Sequence, residues 1–276
     1  RLDQGGMLDR DFVLNLEALE GQSFAVSGTD GDQYAVLASF CPKLPAHKVA
    51  PLLLKILVDC SGSMQGDSIS QARVALHQVA QALTPADFVS YGKFGSTMQH
   101  VIPKLEPCTP HLVGHVLARG IEFTEADLGG TELNQALRTT FGIKRPSNSE
   151  QPIDVLLITD GDVWDIEPTV TAATQSGHRV FAVGVGSSPA ESLLRDLAEK
   201  TGGACELVSP NEDVADAVVR MFRRMRAAQS VKLQVNWGAE PWWQSGLPRQ
   251  LFDGETVHLF ATFATPPASP LVLSLA

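Results

Sequence analysis

The sequence predicts an α/β protein with a doubly wound, mostly parallel sheet flanked by helices and a small flanking β-sandwich built from both chain ends. Three observations lead there. The runs Leu52–Val58, Asp154–Thr159 and Arg179–Val185 are apolar with little alternation, as strands buried on both faces of a parallel sheet must be. From Pro51 to Ala228 such strands alternate with segments of helical apolar period. Outside that region the strand-like runs are short and broken by Gly and Pro.

The elements follow in order. Asp11–Leu16, Gln22–Ser27 and Gln33–Phe40 read as strands, the last two separated by the turn-forming Gly28-Thr29-Asp30-Gly31-Asp32. Leu52–Val58 is the first buried strand. Ser68–Leu83 places Ile69, Ala72, Leu76, Val79, Ala80 and Leu83 on one helix face and stops at Thr84-Pro85. Phe88–Phe94 is the next strand, with Met98–Leu105 as an antiparallel edge partner. Helices are expected at Pro110–Arg119, Glu132–Phe141, Glu191–Lys200 and Asp213–Ala228, with Gly202-Gly203 ending the third of these. Cys205–Val208 supplies another strand. Beyond Ser230, Val231–Trp237, Glu255–Phe263 and Leu271–Leu275 read as strands interrupted by Pro241-Trp242-Trp243 and Pro266-Pro267. A sheet of two or three strands is marginal in water, so residues 1–50 and 229–276 are expected to pair into one sandwich, with 51–228 inserted between its strands.

With 276 residues at 44% hydrophobic composition, the chain can bury one large core, or a medium core and a small one. Lys+Arg 21 against Asp+Glu 31 gives a net charge of −10, which lacks the excess needed to neutralise nucleic-acid phosphates or an anionic membrane. The densest basic cluster, Arg220, Arg223, Arg224 and Arg226, shares a helical run with Val218, Val219, Phe222 and Met225 and reads as a solvated face. No apolar run is long enough to span a membrane. Cys41, Cys60, Cys108 and Cys205 form neither a CxxC pair nor a dense framework, so reduced thiols are expected, which leans cytoplasmic. The chain begins at Arg1 and reads as a piece of something longer, which leaves an extracytoplasmic setting open.

The chemistry gathers at Asp59-Cys60-Ser61-Gly62-Ser63, where a buried strand ends in a carboxylate followed by two alternate hydroxyls. Hard cations take oxygen ligands, and Mg²⁺ takes about six in an octahedron. Ligands of such sheets collect at the strands' carboxyl ends. Gly129-Gly130-Thr131 adds a hydroxyl after a flexible diglycine, and Asp154–Asp160 is a second apolar strand ending in a carboxylate. Asp59, Ser61, Ser63, Thr131 and Asp160 are thus the expected ligands of one divalent cation, Mg²⁺ or else Mn²⁺ or Ca²⁺.

In these residues the sequence resembles the von Willebrand factor A (vWA) family, whose metal-ion-dependent adhesion site reads Asp-x-Ser-x-Ser, then Thr, then Asp. The resemblance covers about Pro51 to Ala228 and implies a Rossmann-like fold. Leu8-Asp9-Arg10-Asp11-Phe12-Val13-Leu14, the helix end Leu83-Thr84-Pro85-Ala86-Asp87 and the β-rich flanks resemble the inter-alpha-trypsin-inhibitor heavy-chain type, in which a β-domain precedes the segment starting at Arg1. The resemblance implies direct metal bonds from Ser61 and Ser63, a switchable one from Thr131, and largely water-mediated contacts from Asp59 and Asp160. Neutral hydroxyl ligands leave the cation's charge largely unquenched, so an open position attracts a carboxylate from a protein partner. The stretch Tyr91-Gly92-Lys93-Phe94-Gly95-Ser96 departs from the family's apolar strand.

Rival readings stay open beside this one. Ser61, Ser63 and Thr131 can instead cap helices while Asp59 and Asp160 tie loops. Glu122, Glu125, Asp127, Glu132, Asp162, Asp165 and Glu167 surround the expected cation mouth or are simply solvated. Trp164 and Asp162 are candidate partner contacts, and Trp164 equally suits core packing. Cys60 has no neighbouring His to activate it, and His111-x-x-x-His115 lacks an intervening Glu. No phosphate-binding loop, dinucleotide fingerprint or nucleophile elbow occurs, so no enzyme is expected. A metal-dependent hydrolase needs a phosphate-binding Lys and more carboxylates than the loop offers. A scaffold module whose metal holds an intramolecular carboxylate is the main competitor to partner capture.

Overall fold

The computed structural model describes residues 23–41, 44, 51–147, 149–160, 166–186, 190–208, 213–227, 233–248, 250–252, 256–267 and 269–275. The chain opens with β1 (Phe24–Asp30), β2 (Gln33–Phe40), β3 (Leu53–Asp59), α1 (Asp67–Ala82), β4 (Phe88–Phe94) and β5 (Met98–Pro107). Next come α2 (Ala118–Glu122), α3 (Leu133–Phe141), β6 (Ile153–Thr159), α4 (Ile166–Ser176), β7 (Arg179–Val185), α5 (Glu191–Thr201), β8 (Cys205–Val208) and α6 (Val214–Ala227). The last strands are β9 (Leu233–Asn236), β10 (Trp243–Gln244), β11 (Val257–Phe263) and β12 (Val272–Leu275). A π-helical stretch, Leu112–Leu117, runs directly into α2. The described residues fall into two compact units, one within Ala46–Val231 plus Arg249–Phe252, the other within Arg1–Pro45, Lys232–Pro248 and Asp253–Ala276.

The larger unit is a six-stranded sheet in the order β5-β4-β3-β6-β7-β8, parallel except for β5. Every residue of β3 and β6 is buried, which explains their lack of alternation. Successive side chains still point to opposite faces. Leu54, Ile56 and Val58 pack with Ile69, Leu76 and Val79 of α1 and Val218, Met221 and Phe222 of α6. Leu57, Val155 and Leu157 pack with Leu133 and Leu137 of α3, Val170 of α4 and Leu193 and Leu197 of α5.

Helix α4 is not evident in the sequence. Its Thr-rich, β-branched run carries Pro168, but a proline is tolerated in a helix's first turn, and the parallel pair β6–β7 requires a crossover there. The arginine cluster also differs from a purely solvated face. Arg220 and Arg224 both pair with Glu206, while Arg226 donates to buried Asp87. All four cysteines are free.

One polar pair sits inside the sheet layer. Lys55 is fully buried and donates to the carbonyls of Thr140 at 2.9 Å and Ile143 at 2.8 Å, closing the C-terminal end of α3. Its ammonium lies 2.7 Å from Nε2 of His178, whose Nδ1 lies 3.0 Å from the Ser176 carbonyl. That arrangement selects the neutral imidazole protonated at Nδ1. Burial and the Lys55 charge push the His178 pKa down to about 4 from its ordinary 6.5. Between those values the unfolded chain takes up a proton that the folded one refuses, so this group's contribution to stability falls as pH drops from 6.5 to about 4. His178→Gln keeps an acceptor for Lys55 and does not titrate. Urea unfolding at several pH values should therefore show wild type losing more stability than the variant across this window; parallel pH curves would contradict the assignment.

In the smaller unit β1 and β2 form a hairpin, β2 pairs antiparallel with β11 from Phe40↔Val257 to Tyr34↔Phe263, and the two-residue β10 borders β11. The β1 strand continues through Gly28, Thr29 and Asp30, so the turn is tighter than the sequence suggests. It consists of Gly31 and Asp32, with Gly31 at φ 59°, the left-handed region that two-residue hairpin turns demand. A second antiparallel pair joins β9 to β12, and Trp237 packs edge-on against Phe263 of β11, ring centres 6.0 Å apart. Asp11–Leu16 lies outside the described residues. The C-terminal stretch is not all of one kind: Phe252 packs on Phe181 of β7 at 6.2 Å, placing this short segment with the α/β unit.

Candidate metal centre

The sheet's parallel register brings β3 and β6 side by side, Val58 opposite Ile158, so both strands release their acidic ends at the same edge. Asp59 is fully buried. Its Oδ1 accepts the Ser61 backbone N–H at 2.9 Å, and its Oδ2 accepts the Thr159 hydroxyl at 2.5 Å. Past Asp59 the chain turns through a short 3₁₀ segment, Gly62–Met64, anchored by fully buried Met64. The turn sets the Ser61 and Ser63 hydroxyl oxygens 3.1 Å apart. Adjacent oxygens around an octahedral ion with bonds of about 2.1 Å are about 3.0 Å apart, so this spacing suits neighbouring ligands of one small cation.

The Thr131 loop is bonded to the same edge. Leu128 N–H donates to the Cys60 carbonyl at 2.9 Å, and Gly62 N–H donates to the Gly129 carbonyl at 2.8 Å. From the other side Ser96 N–H donates to Leu128 O at 2.7 Å, Gly130 N–H to Ser96 Oγ at 2.8 Å, and Glu132 N–H to Gly95 O at 3.0 Å. Gly95 is required by this approach, because a Cβ there would stand 2.5 Å from both the carbonyl oxygen and the Cβ of Leu128. Half-buried Thr131 follows this bonded stretch and stands two residues before α3.

Helix capping does not explain these hydroxyls. Ser61 precedes the 3₁₀ turn and Glu132 precedes α3, and neither start has a side-chain capping hydrogen bond. Asp59 does tie its loop, through Ser61 and Thr159, as the rival reading expects. For Asp160, Oδ1 is buried without a hydrogen-bond partner among the described residues. Such an oxygen costs free energy unless something positive or protic meets it.

Burial raises the Asp59 pKa, opposed by its bonds to Ser61 and Thr159 and aided by the Asp160 charge. Two carboxylates thus meet at one sheet edge, and one oxygen of Asp160 has no hydrogen-bond partner among the described residues. Burial likewise pushes the Cys60 thiol up to about 12, which removes it as a nucleophile. No group of three or more His, Cys, Asp or Glu suited to a metal occurs among the described residues. Glu122, Glu125, Asp127 and Glu132 are exposed, and Glu125 pairs with Arg73. Asp162, Trp164 and Asp165 lie outside the described residues, while Glu167 is exposed on α4. Thr159 and Ser96 are parts of this edge that the motif does not contain; both act through long-range bonds.

Comparison with known proteins gives a consistent picture. Residues 53–207 match the family model of the von Willebrand factor type A domain. A von Willebrand factor A domain-containing protein of Dictyostelium discoideum is 28% identical over 236 residues, covering 83% of this chain and 28% of its own length. Human von Willebrand factor A domain-containing protein 5A is 25% identical over 243 residues, covering 83% of this chain and 30% of its own. The chain thus spans less than a third of either relative. Among solved structures, a von Willebrand factor type A protein from Catenulispora acidiphila superimposes with a TM-score of 0.60 at 15% identity, covering 91% of this chain and 67% of that one. No helix among the described residues is long and apolar enough to cross a membrane.

Proposed function

The chain belongs to the von Willebrand factor type A family, and on that footing we propose that it is a divalent-metal-dependent interaction module that captures an Asp or Glu of a protein partner. The observation behind this reading is the buried Oδ1 of Asp160, unpartnered among the described residues, beside buried Asp59, at an edge where two serine hydroxyls stand at octahedral ligand spacing. Ser61, Ser63 and Thr131 would hold Mg²⁺ or Mn²⁺, with Asp59 and Asp160 balancing its charge. A cation so held supplies Lewis-acid attraction for an incoming carboxylate. The chain's own residues do the rest: Thr159 and the Ser61 backbone orient Asp59, and the Leu128–Gly130 strap places Thr131. We read this as binding rather than catalytic chemistry, since no activated nucleophile accompanies the site among the described residues. The inter-alpha-trypsin-inhibitor heavy-chain type is our finer reading of the family, supported by the pairing of strands from both chain ends.

The test uses the intact chain. Mg²⁺ or Mn²⁺ should raise its unfolding temperature reversibly on chelation, and immobilised chain should retain a carboxylate-bearing protein ligand only with metal present. Absence of any metal effect would sink the proposal. Metal stabilisation without metal-dependent capture would instead favour a scaffold whose cation holds an internal carboxylate.

A further inference from the structure

Two of the polar residues that make β4 unlike an ordinary buried strand, Tyr91 and Lys93, bond to consecutive residues, Thr124 and Phe123. Tyr91 is 1% exposed and Lys93 9%, on a strand otherwise suited to Val or Ile. Lys93 Nζ donates to the Phe123 carbonyl at 2.8 Å, and the Tyr91 hydroxyl lies 2.5 Å from Thr124 Oγ1, which donates to the Gly120 carbonyl at 2.8 Å. Phe123 and Thr124 end α2 and begin the irregular stretch that carries Leu128, Gly129 and Thr131 to the sheet edge. Buried polar groups of this kind hold a geometry when fully satisfied. We infer that Lys93 and Tyr91 are positioning residues for the metal centre: they fix the root of the Thr131 loop so that its hydroxyl is presented at the Ser61–Ser63 turn.

One further observation points the same way. The far end of the stretch is bonded to the turn following β4, through Ser96 to Leu128 and Gly130, so β4 and its turn grip the loop at both ends. A chain with no use for a placed Thr131 could fill both positions with apolar residues and avoid burying an ammonium.

The inference rests on the metal reading above, and its test separates the two. Lys93→Met and Tyr91→Phe remove one polar group each, and Lys93→Arg restores a cationic donor. Mn²⁺ affinity is measured by titration calorimetry on the intact chain, and amide hydrogen exchange is read peptide by peptide. Both deletions should weaken Mn²⁺ binding by roughly tenfold, as lost outer-shell support does elsewhere. They should also speed exchange in 123–131 while leaving β3 and β6 protected, with Lys93→Arg recovering part of the affinity. Unchanged affinity and unchanged exchange in 123–131 would overturn the inference, as would a uniform rise in exchange across the domain. If wild type binds no Mn²⁺, the metal reading fails, and the exchange pattern alone still decides whether these residues hold the loop. Should Lys93→Met fail to fold, Tyr91→Phe decides the matter.

Discussion

Asp59→Asn is expected to abolish metal-induced stabilisation while leaving the metal-free protein at least as stable as wild type. The asparagine Oδ1 still accepts the Ser61 N–H, and its amide can donate to the Thr159 hydroxyl, which then acts as acceptor instead of donor. The turn therefore keeps its shape. What disappears is a buried negative charge that burial and the neighbouring Asp160 already disfavour. In metal-free buffer its removal should be neutral or mildly stabilising. With cation at a hundredfold excess over its dissociation constant, wild type gains about 2.7 kcal/mol. For a domain of this size that amounts to roughly 5–10 °C in unfolding temperature. Scanning calorimetry with and without Mn²⁺ on both proteins checks each half. A full metal shift in Asp59→Asn would show that Asp59 serves the loop and not a cation.

The contrast between Asp59 and Thr159 shows which parts of this site are legible from sequence. Asp59, Ser61 and Ser63 are spaced two apart on one turn, so their convergence is local and visible. Thr159 meets Asp59 across 100 residues of sequence, and only the β3–β6 register brings them together. Lys93 and Tyr91 look like blemishes in a strand until the loop they hold is seen. The same division runs through the fold. β3 and β6 are unmistakable because burial on both faces forces a continuous apolar run. α4 is hidden because Thr, Val and Pro argue locally against a helix that the parallel crossover imposes. Arg226 reads as one charge among four on a helix, and its burial against Asp87 depends on where α6 docks.

That last contact yields the largest expected loss of stability. Asp87 is fully buried and accepts from five donors: the N–H groups of Leu52 and Thr84, the Thr84 hydroxyl, and two nitrogens of Arg226 at 2.8 and 2.5 Å. Burial alone would raise its pKa, but the Arg226 guanidinium and the donors from Leu52 and Thr84 win and hold it below the usual carboxylate range. The carboxylate joins three elements: the entry to β3, the end of α1 and the C-terminal turn of α6. Arg226 stacks over Phe222 at 5.2 Å and also approaches the Ala82 carbonyl, so its position is fixed by packing as well as charge. Asp87→Ala leaves an arginine largely buried without its counter-charge, together with two backbone N–H groups lacking acceptors. Breaking a buried pair from one side costs about 3–5 kcal/mol. Arg226→Met should cost less, because the remaining carboxylate keeps its backbone donors and the methionine still packs on Phe222. The double variant should fall well short of the sum, since each partner's removal already destroys the same interaction. A folded pKa below the unfolded one makes this contribution present at neutral pH and lost as pH falls through the folded value. Urea denaturation of the three variants at pH 7 checks the ranking; an Asp87→Ala loss no larger than that of Arg226→Met would show that the backbone donors find other acceptors and that the ion pair is not what ties α6 to the sheet.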